Sequence, residues 1–192
     1  FQSYVDYMNK FGNHNVSGML LWNIDQYDNN APGNLVASLP RRKMGFAGRL
    51  SYDYDNRYMF EVNAGYNGSE NFAKGHKWGF FPSVAVGWNV SQENFFEPLK
   101  DVISNLKLRA SYGLVGNDQL LDSSGGLIRF IYMSDITLQS ENAGFTTGDK
   151  QQITLNGPVY TRYQNNDLTW EVGEKLNVGF DMQLFNSLNV TV

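Results

Sequence analysis

The sequence predicts an all-β fold, a piece of an antiparallel transmembrane β-barrel with up-and-down connections, and three observations carry that reading. Six stretches alternate apolar and polar residues with a period of two, and in all six the apolar side falls on even-numbered positions. A helix would show spacings of three and four instead. Runs such as 42–54, 78–90 and 169–184 are longer than the five or six residues usual in a soluble sandwich, and a tilted strand of about ten residues crosses a hydrocarbon core. Short and long connections also take strict turns along the chain, as in barrels with short periplasmic turns and long external loops.

The elements follow in order. Strand 1–9 alternates least cleanly, since Phe1, Val5 and Tyr7 are opposed by Tyr4 and Met8. Strand 15–24 precedes a long polar loop at 25–41. In strand 42–54, Met44, Phe46, Leu50, Tyr52 and Tyr54 share one face, while Gly45, Ala47, Arg49, Ser51 and Asp53 share the other. Strand 58–68 repeats this with Tyr58, Phe60, Val62, Ala64 and Tyr66 against Glu61, Asn63 and Gly65. Loop 69–77 leads to strand 78–90, where Pro82 lacks the N–H that a ladder needs and predicts a bulge or local break. The connection 91–104 carries Phe96, Leu99 and Ile103 at helix-like spacing and predicts a turn of helix. Strand 105–115 enters the long loop 116–168, and strands 169–184 and 188–192 close the chain. Opposed residues must share a face. The loop Asp55-Asn56-Arg57 therefore pairs Tyr52 with Phe60 and Leu50 with Val62, and the next short turn pairs Leu184 with Leu188 and Met182 with Val190.

Composition narrows the function classes. The mean hydropathy is −0.40 and no run reaches the roughly 20 apolar residues of a spanning helix, whereas a barrel hides its hydrophobicity by alternation. Cysteine is absent, which removes thiolate metal sites and a cysteine nucleophile, and a net charge of −4 gives no nucleic-acid footprint. His14 falls in a short turn and His76 in a long loop, at opposite barrel ends, so no serine hydrolase or two-histidine metal site is expected. The cluster Asp25, Asp28, Asn29 and Asn30 lacks the spacing of a calcium loop, and Ser124-Gly125-Gly126 follows no strand-to-helix signal that would make a phosphate cradle. No catalytic residue, metal or cofactor is expected. No signal peptide is visible in Phe1–Lys10, and alternation still running at Leu188–Val192 points to an excised piece.

Several runs resemble the SusC/RagA-type TonB-linked outer-membrane transporters of Bacteroidetes. They are Tyr66-Asn67-Gly68-Ser69-Glu70-Asn71-Phe72 continuing through Trp78-Gly79-Phe80-Phe81-Pro82-Ser83 to Gly87-Trp88, then Gly48-Arg49-Leu50-Ser51-Tyr52-Asp53-Tyr54 with Arg57-Tyr58, then Leu106-Lys107-Leu108-Arg109-Ala110-Ser111-Tyr112-Gly113 with Gly116-Asn117, and Asp167-Leu168-Thr169-Trp170-Glu171 with Asn177-Val178-Gly179-Phe180-Asp181. Asn67 stands where that family usually has aspartate, and Asn166 where it usually has proline. The resemblance implies a parent barrel of about 22 strands, plugged by an N-terminal domain that meets TonB, with neither the plug nor the TonB-contact segment in these residues. It also implies a SusD-like lipoprotein over the outer mouth and a cargo of oligosaccharides or peptides. The alternatives are a passive porin-like or structural barrel and, further off, a soluble carbohydrate-binding sandwich.

Three residue sets follow. Arg49, Glu61, Asn63, Lys107, Arg109, Lys175, Asn177, Asp181 and Gln183 fall on odd positions and read as lumen-facing. Trp22, Tyr52, Tyr54, Tyr58, Trp78, Trp88 and Trp170 lie on even positions near strand ends and read as an aromatic girdle in outer-membrane lipid. Phe130, Tyr132, Phe145, Tyr160 and Tyr163 lie in the 116–168 loop, where they are too apolar for a solvated tail and suit a partner or substrate contact. Short strands are expected there near Leu127–Met133 and Gln152–Leu155.

Overall fold

A computed structural model describes residues 1–30, 38–121, 123 and 125–192. Part of the 25–41 loop, together with Asp122 and Ser124 of the 116–168 loop, therefore lies outside the described residues. Eight strands form one antiparallel sheet in the order β1-β2-β3-β4-β5-β6-β11-β12. They are β1 (Gln2–Phe11), β2 (His14–Tyr27), β3 (Arg41–Tyr54), β4 (Tyr58–Ser69), β5 (Trp78–Asn89), β6 (Ile103–Asn117), β11 (Glu171–Leu184) and β12 (Leu188–Thr191). Apart from the four-residue β12, these strands have 10 to 15 residues, which is barrel length rather than sandwich length. Between β5 and β6 two short 3-10 helices, Val90–Gln92 and Asn94–Leu99, stand where the helix-like spacing was noted.

Register explains how the sheet keeps two chemically distinct faces. From β2 onward the strands of the sheet pair even residues with even and odd with odd, as Trp22 with Phe46, Tyr58 with Trp88, Val84 with Tyr112 and Val178 with Ala110, until a register shift after Gln183 sets Leu184 against Ile103. Leu184 pairs with Leu188 and Met182 with Val190, as the phase argument requires. In that turn Phe185 and Asn186 have φ of 50° and 55°, and Ser187 is the extra residue that preserves phase. Asp55 and Asn56 repeat the geometry at φ of 53° and 55°, with Arg57 N–H donating to the Tyr54 carbonyl at 2.8 Å. Across that turn Arg49 and Ser51 both reach Glu61, and Tyr54 stacks on Tyr58, so phase is kept there too.

The first hairpin behaves differently. Gly12 at φ 62° and Asn13 make a two-residue turn, and β1 pairs Ser3 with Trp22, Val5 with Leu20 and Tyr7 with Gly18. Odd residues of β1 thus join the even face of β2, and Phe1 packs edge-on to Trp22 at 5.7 Å. The mixed phase of this strand in the sequence was a reversed phase.

Pro82 makes no bulge. It pairs in register with Ala64 on β4, while the ladder to β6 begins only at Ser83 with Gly113. Ending that ladder one residue after the proline means no N–H is missed. Close backbone approach is needed at Gly113, where an added Cβ would lie 2.5 Å from the Ser83 Cβ and 3.2 Å from its Cα.

Buried apolar residues among those described are Phe72, Ala73, Val90, Phe96 and Ile131, none of them inside the eight strands of the sheet. Leu20, Leu50 and Val86 stand 71%, 56% and 51% exposed, so among the described residues no second sheet covers the even face as a soluble sandwich would require.

The remaining described residues form a second compact unit, 69–77 with 118–170. It contains a two-stranded pair, β7 (Leu120–Leu121) with β8 (Leu127–Ile128), and a hairpin, β9 (Asp135–Thr147) with β10 (Ile153–Arg162). Both short strands expected in this region are present, with different bounds. The first shrinks to Leu127–Ile128, and the second extends to Arg162 and gains β9 as its partner. β9 escaped notice because both of its sides are mostly exposed, so hydrophobic alternation has no reason to appear.

Candidate functional site

The even face of the sheet carries two aromatic rows. At the long-loop end Trp22 and Phe46 stack at 6.3 Å, Phe46 and Trp78 at 6.5 Å, and Tyr66 and Trp78 at 4.7 Å. At the short-turn end His14 lies 4.9 Å from Tyr54 and 6.0 Å from Tyr52, whose hydroxyl it meets at 2.8 Å through Nδ1. Tyr54 then stacks on Tyr58, which pairs with Trp88. Eight residues separate Trp22 from His14 and ten separate Trp78 from Trp88. At about 3.3 Å per residue these are spans of about 26 and 33 Å along the strand, or about 20 to 25 Å at barrel tilt. That matches the apolar band of about 25 Å between the girdles of a membrane barrel. Leu20, Leu50, Val62, Val84 and Val86 lie between the two rows.

Trp170 departs from this set. β11 begins at Glu171, and Trp170 sits in the loop unit, its ring 5.5 Å from Phe72 and its indole N–H donating to the Lys77 carbonyl at 3.1 Å. It is a packing residue of that unit and not part of either aromatic row. Six of the seven residues expected in a girdle lie in the two rows.

The odd face is a polar network. Glu61 accepts from Arg49 through Nε at 2.9 Å and through Nη2, from Ser51 Oγ at 3.1 Å and from Asn63 Nδ2 at 2.9 Å. Arg109 Nε lies 3.6 Å from Asp181 Oδ2, and Lys107 pairs in register with Asp181. Lys175, Asn177 and Gln183 line up with Gly113, Ser111 and Asn105 of β6. The Arg49 and Glu61 side chains are 53% and 28% exposed, so this pair is solvent-screened and worth at most about 1 kcal/mol. Its value is positional: the fork of Arg49 and the amide of Asn63 fix both carboxylate oxygens of Glu61.

The loop unit joins two segments that are distant in sequence. Ser69 Oγ donates to Asp118 Oδ2 at 2.7 Å, and both residues are buried. Asn71 Nδ2 donates to the Asp118 carbonyl at 2.8 Å, and Asn71 Oδ1 accepts from Phe130 N–H at 3.4 Å. Phe72 is 1% exposed. Sequence reasoning placed 69–77 and 116–168 as separate loops and missed this junction. The available signal was Phe72, an aromatic residue inside an otherwise polar nine-residue loop.

Of the loop aromatics, Phe130 has φ 48° and lies under the Arg129 guanidinium at 4.9 Å, and Tyr132 accepts from Asn165 N–H at 3.1 Å. Phe145 is 59% exposed opposite Leu155. Tyr160 and Tyr163 stack at 5.2 Å while 54% and 76% exposed, an uncovered aromatic pair.

At the short-turn end Glu93 accepts from the Tyr58 hydroxyl at 2.7 Å and from the Trp88 indole N–H at 3.2 Å, with Arg57 Nη1 at 3.8 Å. The bond from Tyr58, then that from Trp88, then the Arg57 charge hold the Glu93 carboxyl below its ordinary value of 4.5. A lowered carboxyl contributes stability that is complete above the ordinary value and is lost as pH falls through the lowered one. Urea titration of the parent protein in bilayers is therefore expected to give a steady midpoint from neutrality down to the ordinary carboxylate range and a fall below it, with a shallower acid fall in Glu93→Gln. Identical acid limbs would disprove the linkage.

The family described as TonB dependent receptor-like, beta-barrel matches residues 1–192. TonB-dependent receptor P3 of Formosa agariphila is 29% identical over 97% of this chain and 20% of its own length. TonB-dependent receptor SusC of Bacteroides thetaiotaomicron is 33% identical over 74% of this chain and 13% of its own length. Among solved structures, one of the RagAB peptide transporter superposes with a TM-score of 0.72 at 18% identity, covering 99% of this chain and 22% of that one. The chain thus spans about a fifth or less of the relatives it matches.

Proposed function

Because the chain belongs to the TonB-dependent receptor β-barrel family and is outer-membrane barrel wall, we propose that its parent is an energised importer of oligosaccharides or peptides. The observation that carries this is the two-faced sheet, apolar between two aromatic rows on one side and a polar network on the other. The even face, with Trp22, Tyr52, Tyr54, Tyr58, Trp78 and Trp88, meets lipid. Arg49, Glu61, Asn63, Lys107, Arg109, Lys175, Asn177, Asp181 and Gln183 face the lumen, where they hydrogen-bond water and a plug supplied by the N-terminal region, on which TonB pulls. Short turns lie in the periplasm and the loop unit lies outside. There Phe130, Tyr132, Phe145, Tyr160 and Tyr163 contact a SusD-like lipoprotein or the cargo, since aromatic rings bury large areas at small entropic cost.

Two measurements on the full-length transporter test this. Uptake is expected to stop in cells lacking TonB, and persistence would support a passive pore instead. Deleting residues 124–157 is expected to reduce lipoprotein co-purification or cargo uptake, and unchanged values for both would leave the loop a purely structural role.

A further inference from the structure

The turn between β5 and β6 carries apolar groups that the barrel wall does not use. In the 3-10 helix Asn94–Leu99, with three residues per turn, Asn94 and Glu97 form one ridge, Phe95 and Pro98 a second, and Phe96 and Leu99 a third. Phe96 is 4% exposed and holds the helix to the protein. The first ridge is polar, and Glu97 is bonded to Lys100 at 2.6 Å. The second ridge is bare: Phe95 is 65% exposed and Pro98 is exposed beside it, with Leu99 at 50%. Glu93, one residue before this helix, is bonded to Tyr58 and Trp88, so the turn leaves the sheet from its apolar side. Val102 closes the turn at 48% exposure, and its carbonyl accepts from the N–H of Phe185, itself 64% exposed. A turn standing in water has no use for this much uncovered apolar surface, while an interfacial element does.

We propose that this turn is a membrane foot, with Phe95, Pro98 and Leu99 seated among the phospholipid acyl chains of the leaflet on the short-turn side, continuous with the Tyr58–Trp88 end of the aromatic row. The polar ridge of Asn94 and Glu97 then faces water. The foot rests on the even face being the lipid face, and its test keeps the two apart. This chain has no cysteine, so nitroxide labels can be placed at Phe95→Cys, Leu99→Cys, Glu97→Cys and Val84→Cys in the full-length protein, with cysteines elsewhere replaced, reconstituted in phospholipid bilayers. Collision with dissolved oxygen is compared with collision with a water-soluble nickel complex. The ratio at Phe95 and Leu99 is expected to shift toward that of Val84 and away from that of Glu97. A ratio at Phe95 and Leu99 equal to that at Glu97, or labels there shielded from both reagents as in a protein contact, would overturn the foot while Val84 still reports lipid. A water-like ratio at Val84 would overturn the lipid assignment itself, and the foot with it.

Discussion

Replacing Phe72 by alanine is expected to loosen the loop unit while the eight-stranded sheet stays folded. Phe72 is 1% exposed and packs on Trp170, whose indole N–H is tied to the Lys77 carbonyl. Removing a fully buried phenyl ring costs about 3–5 kcal/mol, through lost burial and the cavity left behind. Among the described residues the unit's other buried apolar side chains are Ala73 and Ile131, so its core has little else to absorb that loss. The network of Ser69, Asn71 and Asp118 compounds the effect, because buried polar groups are costly once their geometry is disturbed. Hydrogen exchange on the full-length protein should quicken across 69–77 and 118–170 and remain slow in β1 to β6. Equal acceleration in both units, or in neither, would show that Phe72 is not the keystone of a separate unit.

A charge placed on the even face is expected to be costly in a way that its immediate neighbour is not. Val84 lies near the middle of β5 on that face, between Val62 and Tyr112 in register. Arginine at the midplane of a barrel's lipid face costs about 2–4 kcal/mol. Ala85 points to the opposite face and pairs in register with Glu61, so Ala85→Arg brings its guanidinium to a carboxylate and should cost no more than about 1 kcal/mol. Unfolding by urea in bilayers separates the two variants. Equal costs, or the reverse order, would contradict the lipid assignment.

These contrasts also show what a sequence of this kind makes legible. The sheet could be read because its two faces impose opposite demands on successive residues, and that alternation marked out its strands and the parity of their pairing from β2 on, with the register itself readable at the turn between β11 and β12. Where the demand weakens, so does the reading. β9 and β10 are exposed on most positions, so the hairpin was seen only in part. Trp170 has the parity of a girdle residue, but it precedes β11, and parity carries no orientation outside a strand. Pro82 makes no bulge, but the β5–β6 ladder stops beside it at Ser83 while both strands run on, which is the local break that its missing N–H predicts. The junction of Ser69, Asn71 and Asp118 is a contact at long sequence separation between polar residues, and no local pattern encodes that. Among the polar odd-face residues, the register expected across the Asp55–Arg57 turn sets Ser51 opposite Glu61, while the diagonal reach of Arg49 and the grip of Asn63 two positions along the same strand needed coordinates.

The turns at Gly12, Asn56 and Asn186 differ by a single residue in the number they spend reversing the chain, and that difference bears on which changes of length such a protein can inherit. The two-residue turn sets β1 and β2 out of step, and β1 is written in the opposite phase to match. The three-residue turn between β11 and β12 keeps the step. Losing Ser187 alone would move Asn189 and Thr191 to the apolar even face and Val190 to the polar odd face, an error multiplied along the rest of the strand. Insertions and deletions on this rim should therefore persist only in pairs or alongside a rewritten strand. The far rim, whose long excursions return to the sheet after many residues, is free to lengthen and shorten one residue at a time.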